Sequence, residues 1–212
     1  MLKTLKPFKA VALAATLFSL GAGSALADAN TEAFVRQNAN DVLASLNDPD
    51  ISAAERRIKF QTYMDEFANI DTVARFVIGK YASRFSETDL AAYEETFRAY
   101  ALAVYEHYFN AYKGQEVDVT GSIDRNARDS IVDTDILSAS GETMQVRWRV
   151  LNRGGEYQVV DIALNAEGNL IWLAIEQQAQ FLSILDKNNG RADALIKKIE
   201  GMTADLIAQR EE

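Results

Sequence analysis

Residues 143–164 read TMQVRWRVLNRGGEYQVVDIAL, and their pattern predicts two neighbouring strands of an antiparallel sheet. Apolar and polar side chains alternate from Met144 to Val150, which is typical of a strand with one face on a core and the other in solvent. Residues 152–155, NRGG, have the composition of a tight turn, and EYQVVDIAL follows as the second strand. The rest of the fold can be predicted outward from this hairpin.

Further strand signals lie on both sides of the hairpin. Before it, Val117 and Val119 alternate with polar residues, and residues 128–138, RDSIVDTDILS, have the character of another strand. After it, a turn at residues 165–168 leads into NLIWLAI, residues 169–175, which we predict to be a strand along its whole length. The short connections indicate a mostly antiparallel sheet of about five strands.

Four helices are predicted before the sheet. The apolar positions of residues 34–46 recur at helical spacing, and residues 52–55, SAAE, form a capping box that opens a second helix. Asp71 is expected to cap a short third helix. Residues 86–89, SETD, open a long fourth helix that is expected to continue to Tyr112.

Helical spacing returns after the sheet, over residues 177–188 and 191–209. The predicted fold class is therefore α+β, a curved and mostly antiparallel sheet of about five strands with helices packed on one face. Both ends of the folded part of the chain are helical in this prediction.

The first 27 residues have the order of a secretory signal peptide. Three lysines precede an apolar run over residues 10–20, and the sequence ALA at residues 25–27 is a typical cleavage site. The run is shorter than the roughly 20 residues that span a bilayer. We therefore expect residues 1–27 to be removed and residues 28–212 to form a single exported domain, with no stable membrane insertion.

The composition argues against several classes of partner and site. The formal net charge is −9, which disfavours nucleic acids and anionic membrane surfaces. The chain has no cysteine and a single histidine, His107, so it carries no Cys–His pair and no clustered His/Cys metal site. Asp133 and Asp135 share one strand face and are interpreted as exposed residues, whereas Asp161 interrupts an apolar strand and is interpreted as a structural hydrogen-bond acceptor.

Aromatic residues cover a wide sector of the long fourth helix. They include Tyr93, Phe97, Tyr100, Tyr105 and Tyr108, at spacings that place them on neighbouring turns. One interpretation is a helix buried against the sheet, because aromatic stripes usually form core. The other is the wall of an apolar cavity, since tyrosine combines an apolar ring with a polar tip that suits a cavity mouth.

The segment FANIDTVARFVIGKYASRFSETDLAAYEETFRAYALAVYEHYFNAYKGQEVDV, residues 67–119, resembles the central block of the MlaC-like proteins, also known as toluene-tolerance auxiliary proteins. The shared features include Asp71, residues 74–76 and 79–81 and the turn at Gly114. The later order of strands, Asp161 and two helices also agrees. The resemblance covers nearly the whole chain after residue 27, and it rests on the ordered set rather than on one strong motif.

The resemblance implies an apolar pocket, between the helices and the sheet, that binds phospholipid acyl chains. The family members are periplasmic carriers that shuttle phospholipid between an outer-membrane lipoprotein–porin complex and an inner-membrane ABC transporter, which maintains outer-membrane lipid asymmetry. For this chain it implies a monomer with bound phospholipid as cargo, without a cofactor, a metal or catalytic residues. The expected lipid-binding residues are Phe76, Tyr81, Phe97, Val104, Tyr108, Val146, Trp148, Val150, Ile171, Leu173, Ile175, Phe181 and Ile184.

Alternatives remain open at this point. Trp172 and Gln178 depart from the common family pattern, so a carrier of another lipid, such as a hopanoid, is one alternative. A small enzyme on a cone-shaped α+β fold, with His107 or an aspartate as base, is another, and a buried acid with a strongly shifted pKa facing the cavity would support it. The third is an interaction module with a filled core and no cavity.

Overall fold

The computed structural model describes residues 29–46, 50–109, 116–137, 141–166 and 169–209. The predicted signal peptide, Tyr112 and Gly114 lie outside these residues. The helices are α1 (Ala29–Leu46), α2 (Ala53–Phe67), α3 (Ile70–Ile78), α4 (Glu87–Phe109), α5 (Leu173–Lys187) and α6 (Ala192–Ala208), and a short 3-10 turn (Gly79–Tyr81) follows α3. The strands are β1 (Val117–Asn126), β2 (Asp129–Leu137), β3 (Thr143–Arg153), β4 (Glu156–Ala166) and β5 (Asn169–Trp172).

The predicted sheet is confirmed. The five strands lie in the order β1-β2-β3-β4-β5, and each pairs antiparallel with the next one along the chain. Trp148 at the centre of β3 lies opposite Val132 on β2 and Ile162 on β4. The register slips at two places between β1 and β2 and once between β3 and β4, and such bulges bend a sheet and increase its twist.

One face of the sheet is buried and the other carries charges. Val146, Trp148 and Val150 of β3 are each about 2% exposed or less, and they face the helical layer. On the other face Arg147 donates to Asp133 at 2.5 Å, and the guanidinium of Arg149 lies 3.0 Å from a carboxylate oxygen of Asp129. The alternation that predicted the hairpin therefore separates a core face from an ion-paired face.

Two predicted helix starts have different outcomes. At α2 the capping box is confirmed, because Ser52 Oγ accepts from the amide of Glu55 at 3.2 Å and Ser52 N donates to Glu55 Oε2 at 2.9 Å. At α3 the prediction of Asp71 as cap was wrong. Asn69 lies just before the helix and its Oδ1 accepts from Thr72 N at 2.9 Å, so the asparagine holds the cap position.

The strand predicted over residues 169–175 is too long. β5 pairs with β4 only as far as Trp172, opposite Ala163, and α5 begins at Leu173. Short apolar runs do not distinguish a strand from a buried helix start. A contact distant in the sequence decides the matter here, because Asp161 Oδ1 accepts from Ala174 N at 2.9 Å and so supplies the side-chain cap that Trp172 does not provide.

The N-terminal half of α4 is part of the core, as one interpretation of the aromatic stripe predicted. Tyr93 and Phe97 are at most 1% exposed, and Tyr93 Oη donates to the carbonyl of Ala74 at 2.8 Å. Phe97 packs edge-on against Phe181 of α5, with ring centroids 6.2 Å apart. No described helix is both long enough and apolar enough to cross a membrane.

Candidate functional site

An open depression, here called the outer cleft, lies among α4, α5, α6 and the strands β3, β4 and β5. Its volume is about 400 Å³. The floor is apolar and consists of Val104, Met144, Leu164, Ile171, Leu173, Met202 and Leu206. The polar lining consists of Tyr100, Tyr108, Asn165, Glu176, Gln177, Gln180, Asp205 and Gln209. The cleft is therefore amphipathic, because apolar side chains line it together with amides, carboxylates and two tyrosine hydroxyls.

A smaller space, here called the inner cavity, lies beside the outer cleft. It has a volume of about 50 Å³ and lies between α3, α4, β4 and the first turn of α5. Its walls include Ile70, Phe97, Ala101, Tyr105 and Val159, and almost all of the lining is apolar. The helix turn that starts at Leu173, rather than at the predicted later position, is what brings α5 into this wall.

The outer cleft and the inner cavity share part of their lining. Val104 of α4 and Leu173 and Gln177 of α5 contribute to both. These three side chains, here called the partition, therefore stand between the two spaces. Val104 is 7% exposed, whereas Leu173 and Gln177 are half-buried.

Tyr105 lies where the inner cavity meets two further small spaces. One is lined by residues of α2 and α4, including Arg98, and the other lies between α1, α2 and the sheet, beside Trp148. Tyr105 lines all three, and burial raises the pKa of its hydroxyl far above the ordinary range. The helical layer thus contains several small spaces that share lining residues, and Tyr105 is common to all three.

Asp161 is the carboxylate of the inner cavity. It is 8% exposed and follows Val160, the residue left unpaired by the bulge between β3 and β4. Burial raises its pKa to about 6 from an ordinary value of 3.8, and this outweighs the opposing effects of the Ala174 and Ile162 amides and of Arg149. Asp161 is thus a buried acceptor, as interpreted from the sequence.

The expected lipid-binding residues fall into three groups. Phe97, Val104 and Leu173 line the inner cavity, and Tyr108 and Ile171 join Val104 and Leu173 in the outer cleft, while Trp148 lines the small space near α1. The buried core outside these spaces contains Tyr81, Val146, Val150 and Phe181, and Ile184 is half-buried against it. Phe76 and Ile175 are exposed by 43% and 51%. Contact of any of them with a lipid stays a prediction.

Tyr81 shows how an aromatic residue is held away from the cavities. Its hydroxyl donates to Asp186 Oδ1 at 2.6 Å. Its ring covers Gly190, where an added Cβ would lie 2.7 Å from a ring carbon and the backbone φ is +75°. These contacts fix Tyr81 as a link between the 3-10 turn and the end of α5.

Several lining residues were not predicted. Ala101 lies one turn after Phe97 on α4, and the small size of its side chain leaves room for the inner cavity. Gln177, Met202 and Leu206 line the outer cleft from α5 and α6. The sequence did contain one indication. Phe97, Ala101 and Tyr105 are spaced to lie on one face of the helix, and the small side chain of Ala101 leaves space between the two aromatic rings.

The two residues that depart from the family pattern have structural positions. Gln178 Nε2 donates to the backbone carbonyl of Phe76 at 2.7 Å, which joins α5 to the end of α3. Trp172 is half-buried at the junction of β5 and α5. Neither residue lines the outer cleft or the inner cavity.

Two of the candidate catalytic residues, His107 and Asp133, make a ring contact and an ion pair, respectively. His107 is half-buried and its ring lies edge-on to Tyr108, with centroids 5.3 Å apart. Asp133 is ion-paired to Arg147 on the outer face of the sheet. Within the described ranges, no group of three or more His, Cys, Asp or Glu residues is placed to hold a metal ion.

Comparison with known proteins gives a family and a fold. A family model described as MlaC protein matches residues 36–201. The solved structure of the phospholipid-binding protein from Ralstonia solanacearum, in complex with a phospholipid, is similar at 20% sequence identity with a TM-score of 0.68. The match covers 84% of this chain and 98% of that chain, and it shows a shared fold. No curated protein matches the chain.

Proposed function

The chain belongs to the MlaC family, and from this premise we propose that it is a periplasmic phospholipid carrier. It takes up acyl chains in the outer cleft and shuttles the lipid between an outer-membrane lipoprotein–porin complex and an inner-membrane ABC transporter. The observation that carries this proposal is an amphipathic cleft of about 400 Å³ that shares Val104, Leu173 and Gln177 with a neighbouring apolar cavity.

The physical need for such a container is large. Each acyl methylene left in water costs roughly 0.8 kcal/mol, so a chain of about 15 carbons costs on the order of 12 kcal/mol. An apolar floor removes that cost by burial alone and needs no catalytic group. The volume of the outer cleft lies in the lower part of the usual range of about 300–1,000 Å³ for ligand sites. The inner cavity adds only about 50 Å³, so the two spaces together stay in the lower part of that range.

The lining also suits the orientation of a phospholipid. Apolar residues of β4, α4 and α6 form the floor, whereas Glu176 and Gln180 on α5 and Asp205 on α6 are exposed beside it. A lipid bound with its chains inward leaves its headgroup among these polar side chains and water. The Ralstonia protein, which has a similar fold, was solved in complex with a phospholipid, and this supports the proposal.

One observation favours a second candidate function. Asp161 is a buried acid with a raised pKa that lines the inner cavity, as expected for the general base of a small enzyme. Its Oδ1 is, however, bonded to the Ala174 amide at the start of α5, which is a structural task. If the protein is an enzyme, incubation with phospholipid vesicles gives products detectable by mass spectrometry, and Asp161→Asn abolishes them.

The carrier proposal is tested by purifying the protein from the periplasm without detergent. We expect mass spectrometry of the extract to find phospholipid in a fixed molar ratio, and we expect the protein to accept labelled phospholipid from vesicles. Absence of both co-purified lipid and transfer contradicts the proposal. A profile dominated by a hopanoid supports the alternative carrier.

Export is tested on the same material. N-terminal sequencing of the periplasmic protein is expected to begin at Asp28, which follows the ALA sequence of residues 25–27. Crosslinking in intact cells then asks whether the protein contacts an outer-membrane lipoprotein–porin complex and an inner-membrane transporter. A protein found only in the cytoplasm contradicts the periplasmic assignment.

A further inference from the structure

Two buried aspartates in the described chain have different surroundings. Asp129 is 7% exposed and its carboxylate lies 3.0 Å and 3.1 Å from the guanidinium groups of Arg149 and Arg125. Asp161 is 8% exposed and is one of the residues that line the inner cavity, and its Oδ1 accepts from a backbone amide. The charge of Asp129 is therefore balanced by two bonded cations, whereas the charge of Asp161 is stabilised mainly by backbone amides, with a further contribution from Arg149.

The groups around Asp161 can be named element by element. From β3, Arg149 lies opposite Asp161 in the sheet, but its guanidinium is bonded to Asp129. From α4, Tyr105 contributes a phenol, and from α5 the amide of Ala174 donates. The α3 side of the cavity contributes Ile70, which is apolar. Burial dominates this balance and holds the carboxyl pKa at about 6.

We propose that entry of an acyl chain into the inner cavity is coupled to proton uptake at Asp161. This inference rests on the proposed carrier function. A chain that passes the partition places methylene groups against the cavity side of the carboxyl and excludes water from it. The charged form loses solvation while the protonated form loses little, so the protonated carboxyl and the lipid chain favour each other.

The coupling predicts how affinity depends on pH. Asp161 in the lipid-free protein changes protonation near pH 6, within the range that a carrier outside the cytoplasm encounters. If the bound chain keeps the carboxyl protonated, affinity falls up to about 10-fold for each pH unit above 6. Mildly acidic conditions then favour loading, and alkaline conditions favour release, of lipids whose chains reach the inner cavity.

The test measures displacement of a phospholipid carrying a fluorescent acyl chain by unlabelled long-chain phospholipid between about pH 5 and 8. The mature protein is compared with Asp161→Asn and with Asp135→Asn, a matched control on the outer face of β2 between the buried residues Thr134 and Ile136. We expect affinity to fall with pH in the wild type and the control and to be flat in Asp161→Asn. Calorimetry in two buffers of different ionisation enthalpy counts the protons taken up.

A second variant keeps the test decisive if Asp161→Asn does not fold. Ala101→Leu fills the inner cavity from α4 and leaves Asp161 in place, so lipid that binds the remaining cleft takes up fewer protons. Affinity that is independent of pH in the wild type, or an equal slope in the wild type and Asp161→Asn, overturns the inference. Absence of lipid binding at every pH instead overturns the carrier function on which the inference rests.

Discussion

The outer cleft and the inner cavity lie side by side but differ in size and in lining. The cleft has a volume of about 400 Å³, with exposed amides and carboxylates beside its floor, and the cavity has about 50 Å³ and one carboxyl group in an apolar lining. Their common residues are Val104, Leu173 and Gln177. The two spaces therefore differ mainly in lining: polar groups contribute to the cleft, whereas almost all of the cavity lining is apolar.

The largest effect is expected from Val104→Trp, because the indole fills space on both sides of the partition. Affinity for long-chain phospholipid should fall by about 100-fold, which corresponds to the loss of three or four buried methylenes at roughly 0.8 kcal/mol each. Labelled-lipid displacement measures this, and Ala99→Trp on the exposed side of α4 is the control. Circular dichroism checks folding, since overpacking costs about 1–3 kcal/mol. Unchanged affinity in a folded variant would place the lipid elsewhere.

The next effect concerns stability and the ionisation of Asp161 in the lipid-free protein. Its pKa is raised from 3.8 to about 6, so the folded state holds this proton more tightly than the unfolded state. Asp161 therefore contributes most to the free energy of unfolding below pH 4. This contribution, at most roughly 3 kcal/mol, is lost as the pH rises through about 6.

Thermal unfolding of the wild type and Asp161→Asn at several pH values measures this contribution. The difference in stability between the two should change between about pH 4 and 6 and be constant above that range. Asp135→Asn, which removes a carboxyl group from the outer face of β2, serves as the control. Parallel pH profiles for the wild type and Asp161→Asn contradict the assignment of the titration to Asp161.

A smaller effect is expected from Leu173→Ala, which removes part of the partition and joins the two spaces. Affinity for long-chain lipid should rise a few-fold relative to short-chain lipid, while stability falls by about 1–2 kcal/mol because Leu173 is half-buried. Displacement assays with phospholipids of two chain lengths measure the ratio. Ser183→Ala, an exposed position further along α5, is the control. An equal change for both chain lengths contradicts a role in separating the two spaces.

The smallest effect is expected beside the floor of the cleft. Glu176 is exposed and Gln180 Nε2 donates to its carboxylate at 3.0 Å. Exposed charges contribute about 0–1 kcal/mol and are screened by salt. Glu176→Gln should therefore change phospholipid affinity by less than about 3-fold, and the change should disappear in high salt. A large effect that persists in salt would show that this side chain is desolvated by the ligand.

The sheet was predictable because its signals are local. The alternation in residues 143–150 and the turn at residues 152–155 do not depend on distant contacts, and β3 and β4 lie where these signals place them. The end of β5 was not predictable in this way. Its apolar run suits either conformation, and the choice depends on Asp161, which lies on the preceding strand and bonds to Ala174.

The family was recognised from the sequence, whereas the sequence predicted only some of the residues that line the two spaces. A helix pattern predicts which residues face inward and does not distinguish a filled core from a cavity wall. Phe97 and Phe181 are equally buried in practice, yet only Phe97 lines the inner cavity. The difference comes from Ala101, whose small side chain leaves space beside Phe97. Whether a neighbouring element fills that space depends on the tertiary structure and cannot be read from the helix pattern.

The meander order of the sheet also affects how the chain folds. Every strand pairs with the strand next to it in the sequence, so each hairpin can form as soon as its own residues are available. Such local pairing favours rapid folding, and the chain has no cysteine whose pairing could delay it. A protein that is threaded unfolded across a membrane, as proposed here, can then bury its adhesive apolar surface before it meets another copy.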